Sequence, residues 1–261
     1  MARLAVRWKL VLEYDGGAFA GWQRQHGQRT VQGVVEEALA AFWGHEAHIT
    51  VSGRTDAGVH AEAQVGSFLT SIEREERAVR EGLNYHLPRD VSVVSAQVVE
   101  DRFHARYWSW GKHYRYTYLA RTSRSPLREA RSWHVRDLDA ALMAEGARHL
   151  VGRHDFSSFR AHGCAAAHAV RTVESLDVSV QGDLIVADVR GQGFLRHMVR
   201  IIAGTLANVG TGRIAPGRVA EILAAKDRAL AGKTAPPQGL TLVEVRYGDG
   251  PPPWIVVDDE E

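Results

Sequence analysis

Two hydrophobic periods alternate along this chain in an order that occurs twice, and that order limits the fold more than any single motif. A period near two marks a half-buried strand, and a period near 3.6 marks an amphipathic helix. The run "WKLVLEYD" (8–15) reads as a strand that ends in the turn Gly16-Gly17. Thr30 then stands where a helix cap is expected. Val31, Val34, Val35, Ala38, Leu39 and Phe42 follow it at i, i+3, i+4, i+7, i+8 and i+11 spacing. "HITVSG" and "AQVGSFL" predict two further strands, "REERAVREGLNYHL" a charged helix stopped by Pro88, and "VSVVSAQVV" (91–99) a fourth strand.

The second half runs through the same order. "KHYRYTYLA" predicts a strand and "LDAALMAEGARHLVG" a helix, while "RTVESLDVSV" and "DLIVADVR" predict a hairpin around Gln181-Gly182-Asp183. "FLRHMVRIIAGTLANVG" and "GRVAEILAAKD" predict helices, and "LTLVEVRY" the closing strand. Each half matches the β-α-β-β-α-β, ferredoxin-like arrangement, so the expected class is α+β. Two such halves side by side would leave a central cleft. The expected division is 1–108, 109–248 and an acidic, Pro-rich tail over 249–261.

Composition narrows the function classes. The single cysteine, Cys164, excludes an intrachain disulfide framework and a zinc site built on paired cysteines. "MARLAVRWKL" lacks the apolar core of a signal peptide, and no run approaches the about 18 apolar residues of a membrane span. The expectation is a cytoplasmic protein with no membrane partner. The formal net charge is only +1, yet between Arg102 and Arg136 nine bases face one acid, Glu129. In that stretch the bases are interleaved with Tyr107, Trp108, Trp110, Tyr114, Tyr116, Tyr118 and Trp133, a pattern suited to a polyanion with stackable bases. On a strand Tyr114, Tyr116 and Tyr118 share one face, and for Tyr116 and Tyr118 that face is expected to be core. Of the 32 basic residues only four are lysines, which favours forked contacts to phosphate.

Several apparent motifs fail on spacing. "AGKT" (231–234) lacks the P-loop's first glycine, since Asp227 occupies that place. "GQGFLR" (191–196) has Arg196 where the third glycine of a dinucleotide fingerprint belongs. "HAE" (60–62) has no paired cysteines to complete a deaminase metal site, and "HEAH" (45–48) spaces its histidines wrongly for one helix face. No cofactor and no metal is expected. "GRTDAGVHAEAQV" (53–65) is different in kind. Asp56 lies between Gly53 and Gly58 on a loop between two predicted strands, with Arg54 two residues before it and His60 four after. Such an aspartate can cap a turn, or it can be presented by a rigid scaffold for chemistry. With no second carboxylate nearby, a glycosidase-like pair is not formed locally, and a nucleophile or base suits Asp56 better than an acid.

These residues also resemble a known family. "GRTDAGVHA" with "AQVGSF" is similar to the signature of the bacterial tRNA pseudouridine synthase A family. "EYDGGAFAGWQRQ", "TVQGVVEEAL", "LNYHLPRDVSV", "FHARYWSWGKHYRY", "DFSSFRA", "FLRHMVRIIAGTL" and "GLTLVEV" follow in the family's order, over about residues 8 to 247. The resemblance implies the pseudouridine synthase fold, with an RNA-binding cleft between two ferredoxin-like halves. It implies isomerisation of uridines 38, 39 and 40 in the tRNA anticodon stem-loop, by a cytoplasmic homodimer that uses neither metal nor cofactor. It puts Asp56 at the position of the catalytic nucleophile and Arg54 at that of the arginine filling the space a flipped uridine vacates. Tyr114 falls on the residue stacking on the target base, Arg200 on the base that ion-pairs with the catalytic carboxylate, and Leu240 on an apolar wall of the pocket. Trp108, Trp110 and the tail depart from the family pattern. Two other classes remain open at this point: an RNA-binding protein without catalysis, and a hydrolase that releases free uracil.

Overall fold

The computed structural model describes residues 5–254. The acids of the expected tail after Trp254 therefore lie outside the described residues. The chain forms two compact units: Gly111–Thr241 is one, and the described residues on either side of it form the other.

The flanking unit starts with β1 (Val6–Tyr14), where Trp8, Leu10, Leu12 and Tyr14 alternate onto a buried face. Helix α1 (Val31–Trp43) follows the Thr30 cap, whose Oγ1 accepts the Gly33 N–H at 3.2 Å, and stops at Gly44 in the left-handed region. Of the predicted helix face, Val31, Val35, Ala38 and Leu39 are buried, and Val34 and Phe42 sit at its rim. The expected strand "HITVSG" shrinks to β2 (Thr50–Val51), because the chain turns out of the sheet beyond Ser52. Then come β3 (His60–Thr70), α2 (Glu76–His86) and β4 (Val91–Val99). The α2 helix ends before Pro88 as expected. Asn84 fastens it to the next strand, accepting the Val93 N–H at 2.7 Å and donating to the Val93 carbonyl at 2.9 Å. Strand β1 lies antiparallel between β3 and β4, and β2 pairs with the outer side of β3. That 4-1-3-2 order is the ferredoxin-like arrangement.

The second unit repeats it with additions. Strand β5 (Ser109–Leu119) is followed by β6 (Trp133–His134), which pairs with it, and by α3 (Ala140–Arg148), capped by Asp139. Next come β7 (Gly152–Asp155), β8 (Val170–Gln181) and β9 (Leu184–Gly191). Gly182, at φ +65°, makes the tight β8–β9 turn that the sequence signalled. The sheet order is β5-β9-β8-β7. Neither β6 nor β7 was expected, since a two-residue strand and the polar run "GRHD" carry no alternation. Helix α4 (Met198–Gly210) begins four residues later than its apolar run, because His197 takes φ +60° and cannot continue a right-handed helix. Helix α5 (Arg218–Ala225) and strand β10 (Leu240–Tyr247) complete the elements, and from Leu242 that strand belongs to the flanking unit, bordering β3. Among the described residues no helix is long and apolar enough to cross a membrane.

Tyr116 and Tyr118 point into the core of the second unit, as the stripe predicted, and each finds an acceptor. The Tyr118 hydroxyl donates to the Ala203 carbonyl and the Tyr116 hydroxyl to the Pro236 carbonyl, both at 2.8 Å. The α4 helix is buried on nearly every side, which leaves no room at Gly204: a Cβ there would overlap the Lys233 carbonyl. Helix propensity favours Ala over Gly by about 1 kcal/mol, and overpacking against backbone costs about 1–3 kcal/mol. Gly204→Ala is therefore expected to lower the melting temperature by a few degrees in calorimetry, opposite in sign to the propensity effect.

Candidate functional site

The loop from Ser52 to Val59 leaves the edge of one strand and enters the next, and little of it is left to find its own shape. The Ser52 N–H donates to the Val65 carbonyl at 2.8 Å, and the Val59 N–H closes a turn on the Asp56 carbonyl at 3.2 Å. Gly58 holds φ +77°, a conformation that favours glycine. Arg54 is exposed, Thr55 is buried and Asp56 is half-buried.

The segment after β1, "DGGAFAGW", braces this loop from the side. Gly16 packs so closely on the Val59 carbonyl that a Cβ would overlap it. The Gly16 N–H donates to His60 Nδ1 at 3.1 Å, and an Asp15 oxygen lies 3.1 Å from the same nitrogen. The Trp22 N–H donates to the Thr55 carbonyl at 3.0 Å, and the Gly58 N–H to the Phe19 carbonyl at 3.3 Å. Gly21, at φ +96°, lets the chain pass within contact of Thr55 and Ala57.

Behind the loop lies a buried polar relay. The Ser52 hydroxyl donates to Gln64 Oε1 at 2.7 Å, and Gln64 Nε2 donates to the Gly53 carbonyl at 2.8 Å. The same amide nitrogen stands 3.4 Å from the Tyr14 hydroxyl, which is 2.8 Å from Thr55 Oγ1. Gln64 is 0% exposed and Tyr14 2%. Burial pushes the Tyr14 phenol up to about 12, against the opposing pull of its bonds to Thr55 and Gln64. The sequence reading missed this relay. Its available signal was a glutamine on the core face of a strand, where a polar group must find partners.

The other sequence-selected residues belong to the second unit. Tyr114, on β5 opposite Val189, is buried and meets Phe194 edge-on at 5.3 Å. Arg200 lies in the first turn of α4. Its Nε donates to the Ala235 carbonyl at 2.8 Å, and the Ala235 N–H returns a bond to the Arg200 carbonyl at 3.0 Å. Leu240 is buried where the 235–239 segment enters β10, and Gly239 lies against the Tyr116 ring. The phenol of Tyr116 is raised by burial, with the Arg200 charge acting in the opposite sense. Arg200, Tyr116 and the 235–240 segment thus form one cluster in this unit, as Arg54 and Asp56 share one loop in the other.

The basic segment is less bare than its sequence suggests, because acids outside it or within it reach its arginines. Arg121 and Arg128 both pair with Asp183, while Arg115 pairs with Asp188 at 3.1 Å beside His113 at 2.6 Å. Arg102 pairs with Glu100 at 2.7 Å and Arg124 with Glu129 at 4.0 Å. Arg106, by contrast, is exposed with its guanidinium over the Tyr107 ring, and the His104 ring stacks on the same tyrosine at 4.3 Å.

Comparison with known proteins gives one consistent match. The family model described as tRNA pseudouridine synthase matches residues 10–108 and 147–248. The chain is similar to the protein named tRNA pseudouridine synthase A of Myxococcus xanthus, 48% identical over 260 residues, covering 98% of each chain. It is similar to that of Geobacter sulfurreducens, 48% identical over 240 residues, covering 92% of this chain and 98% of the relative. That of Syntrophotalea carbinolica is 50% identical over 240 residues, with 92% and 95% covered.

The buried phenols carry a pH signature. Tyr14, Tyr116, Tyr118 and Tyr247 are all raised by burial. An unfolded phenol ionises near about 10, so folding favours the protonated form. The stabilisation is complete below about pH 10 and is lost as pH rises through the folded values. The denaturant midpoint is expected to fall steeply from about pH 10 upward, with the tyrosinate absorbance of these four buried residues appearing together with unfolding.

Proposed function

This chain belongs to the tRNA pseudouridine synthase family and isomerises uridine in tRNA; on that premise we propose that it acts on uridines 38, 39 and 40 of the anticodon stem-loop, flipping each out and attacking it with the Asp56 carboxylate. The observation that carries the reading is the braced loop, which presents a half-buried Asp56 beside an exposed Arg54 at the family's signature motif.

Isomerisation conserves every atom of the base and sugar. The N1–C1′ bond breaks, the uracil turns, and C5 bonds to C1′; the C5 proton leaves and N1 gains one. A carboxylate nucleophile is regenerated at the end, so the reaction balances without oxidant or group donor. Arg54 fills the stack where the uridine stood, offsetting the few kcal/mol, roughly, that unstacking costs. Tyr114 stacks on the flipped base, Leu240 walls its pocket, and Arg200 supplies the positive charge for the carboxylate. The enzyme works as a homodimer in the cytoplasm, and the anticodon arm is held by the arginines and aromatics of the 102–136 segment. Within that segment Arg106, exposed and layered on Tyr107 and His104, suits contact with an RNA phosphate and base better than arginines already paired with acids.

Pseudouridine mapping on unmodified tRNA, by carbodiimide labelling and reverse-transcription stops, tests the reaction. Stops at positions 38 to 40 with the wild type, lost in Asp56→Ala while tRNA binding persists, are expected. Turnover by Asp56→Ala would remove the nucleophile role, and release of free uracil would point to a hydrolase instead. For the RNA surface, Arg106→Glu is expected to weaken tRNA binding by about tenfold or more and to flatten its salt dependence. Arg121→Glu, whose partner Asp183 already takes the charge, is expected to do less. Equal effects of the two in a filter-binding titration would contradict that ranking.

A further inference from the structure

We propose that Gln64 and Tyr14 are positioning residues: through the Gly53 carbonyl and the Thr55 hydroxyl they fix the loop on which Asp56 attacks. The proposal rests on the nucleophile role of Asp56. It adds two side chains that lie behind the loop, inside the unit's core.

The direction of each bond at Gln64 follows from one choice, the orientation of its amide. Its Oε1 receives the Ser52 hydroxyl at 2.7 Å and the Val65 N–H at 3.2 Å, while its Nε2 faces the Gly53 carbonyl at 2.8 Å. With oxygen and nitrogen exchanged, the amide nitrogen would face an N–H and the amide oxygen would face a carbonyl, so two contacts would become repulsive. The orientation is therefore fixed. Nε2 also points its second hydrogen toward the Tyr14 oxygen at 3.4 Å, and the Tyr14 hydroxyl shares a hydrogen bond with Thr55 Oγ1 at 2.8 Å. Burial keeps that phenol protonated far above neutral pH. The chain of hydrogen bonds runs from Ser52 to Gln64, from Gln64 to Gly53 and Tyr14, and between Tyr14 and Thr55.

The relay ends on the two residues that flank Arg54, and the second of them is bonded to Asp56. Thr55 is held at both ends, its hydroxyl by Tyr14 and its carbonyl by the Trp22 N–H at 3.0 Å. The Asp56 carbonyl is held by the Val59 N–H. The backbone carbonyls on both sides of the Asp56 side chain are thereby held. Core packing alone does not require this arrangement: an apolar set of the same volume would fill the space, but it would leave the Gly53 backbone carbonyl without its Gln64 donor. A directional relay is what an apolar core cannot supply. A misplacement of about 1 Å at a reacting group can cost about a hundredfold in rate.

The experiment compares single-turnover rate and tRNA Kd for the wild type, Gln64→Leu, Gln64→Glu and Tyr14→Phe, each shown folded by a cooperative melt. Gln64→Leu is expected to slow the chemical step by about a hundredfold and Tyr14→Phe by about tenfold, with Kd within about twofold. Gln64→Glu turns a carboxylate oxygen toward the Gly53 carbonyl. A protonated carboxyl can donate there again, so its rate relative to wild type is expected to rise as pH falls. Wild-type rates in folded Gln64→Leu and Tyr14→Phe would overturn the proposal, as would losses that follow Kd rather than rate. If Gln64→Leu does not fold, Tyr14→Phe decides, because it removes one oxygen and leaves the ring packing in place. Turnover by Asp56→Ala would instead defeat the nucleophile reading, whatever the relay variants do.

Discussion

The placement of the Arg54–Asp56 loop depends on a single buried carboxamide. Gln64 sits on the core face of β3 opposite Leu12, where an apolar side chain would be ordinary, and spends its whole hydrogen-bonding capacity on fixed partners. Because those partners are the strand end at Ser52, the loop at Gly53 and the phenol of Tyr14, the sheet and the loop cannot shift independently. The glycines of "DGGAFAGW" make the second half of the same constraint. Gly16 and Gly21 let one strand's exit lie directly on the loop, so that the Trp22 N–H reaches Thr55 and the Gly16 N–H reaches His60 where β3 begins. Polar satisfaction and close backbone approach are thus two aspects of one rigid mount.

Much of this architecture was legible in the sequence, for reasons that also explain what was not. The α1 face, the stop of α2 at Pro88, the Gly182 hairpin and the core-facing Tyr116 and Tyr118 all express local rules: period, cap, breaker and turn residue. Strands β6 and β7 were invisible because two residues, or four polar ones, have no period. The late start of α4 was invisible because its run of apolar residues extends past the helix; only the left-handed His197 marks the true boundary. Asp56 and Arg54 stood out through their glycines, but Tyr14, Thr55 and Gln64 did not, since the relay joins positions 41 and 50 residues apart. Long-range partners are supplied by topology, which composition does not carry.

Charge shows the same division between local and folded information. Counted along the chain, 102–136 is strongly basic. Folding brings Asp183 and Asp188 to it, and with the nearby Glu100 and Glu129 they pair with Arg102, Arg115, Arg121, Arg124 and Arg128. Most of those pairs are partly exposed, so each adds little stability, but each removes a charge that would otherwise face a polyanion. The residue that stays at the surface against an aromatic ring, Arg106, gains importance by this subtraction. An electrostatic map drawn from sequence would have spread the same weight over all nine bases.

The two units share an order of elements, and buried phenols in both donate to backbone carbonyls, Tyr247 to that of Ala105 in the flanking unit. In the second, Tyr116 and Tyr118 donate to backbone carbonyls, at Pro236 just before Leu240 and at Ala203 within α4. In the flanking unit Tyr14 meets a side-chain hydroxyl on the loop itself. A carbonyl acceptor ties a ring to a backbone that other bonds already hold, so losing it costs about one hydrogen bond and little geometry. A threonine hydroxyl can rotate, and it becomes a fixed point only when its partner is fixed, which is what Gln64 does for Tyr14. The Ser52–Gln64–Tyr14–Thr55 relay lies in the unit that carries the Arg54–Asp56 loop. Tyr14 spends its bond on the Arg54–Asp56 loop, so losing it would loosen that loop rather than a carbonyl that other bonds already hold, as at Tyr116, Tyr118 and Tyr247.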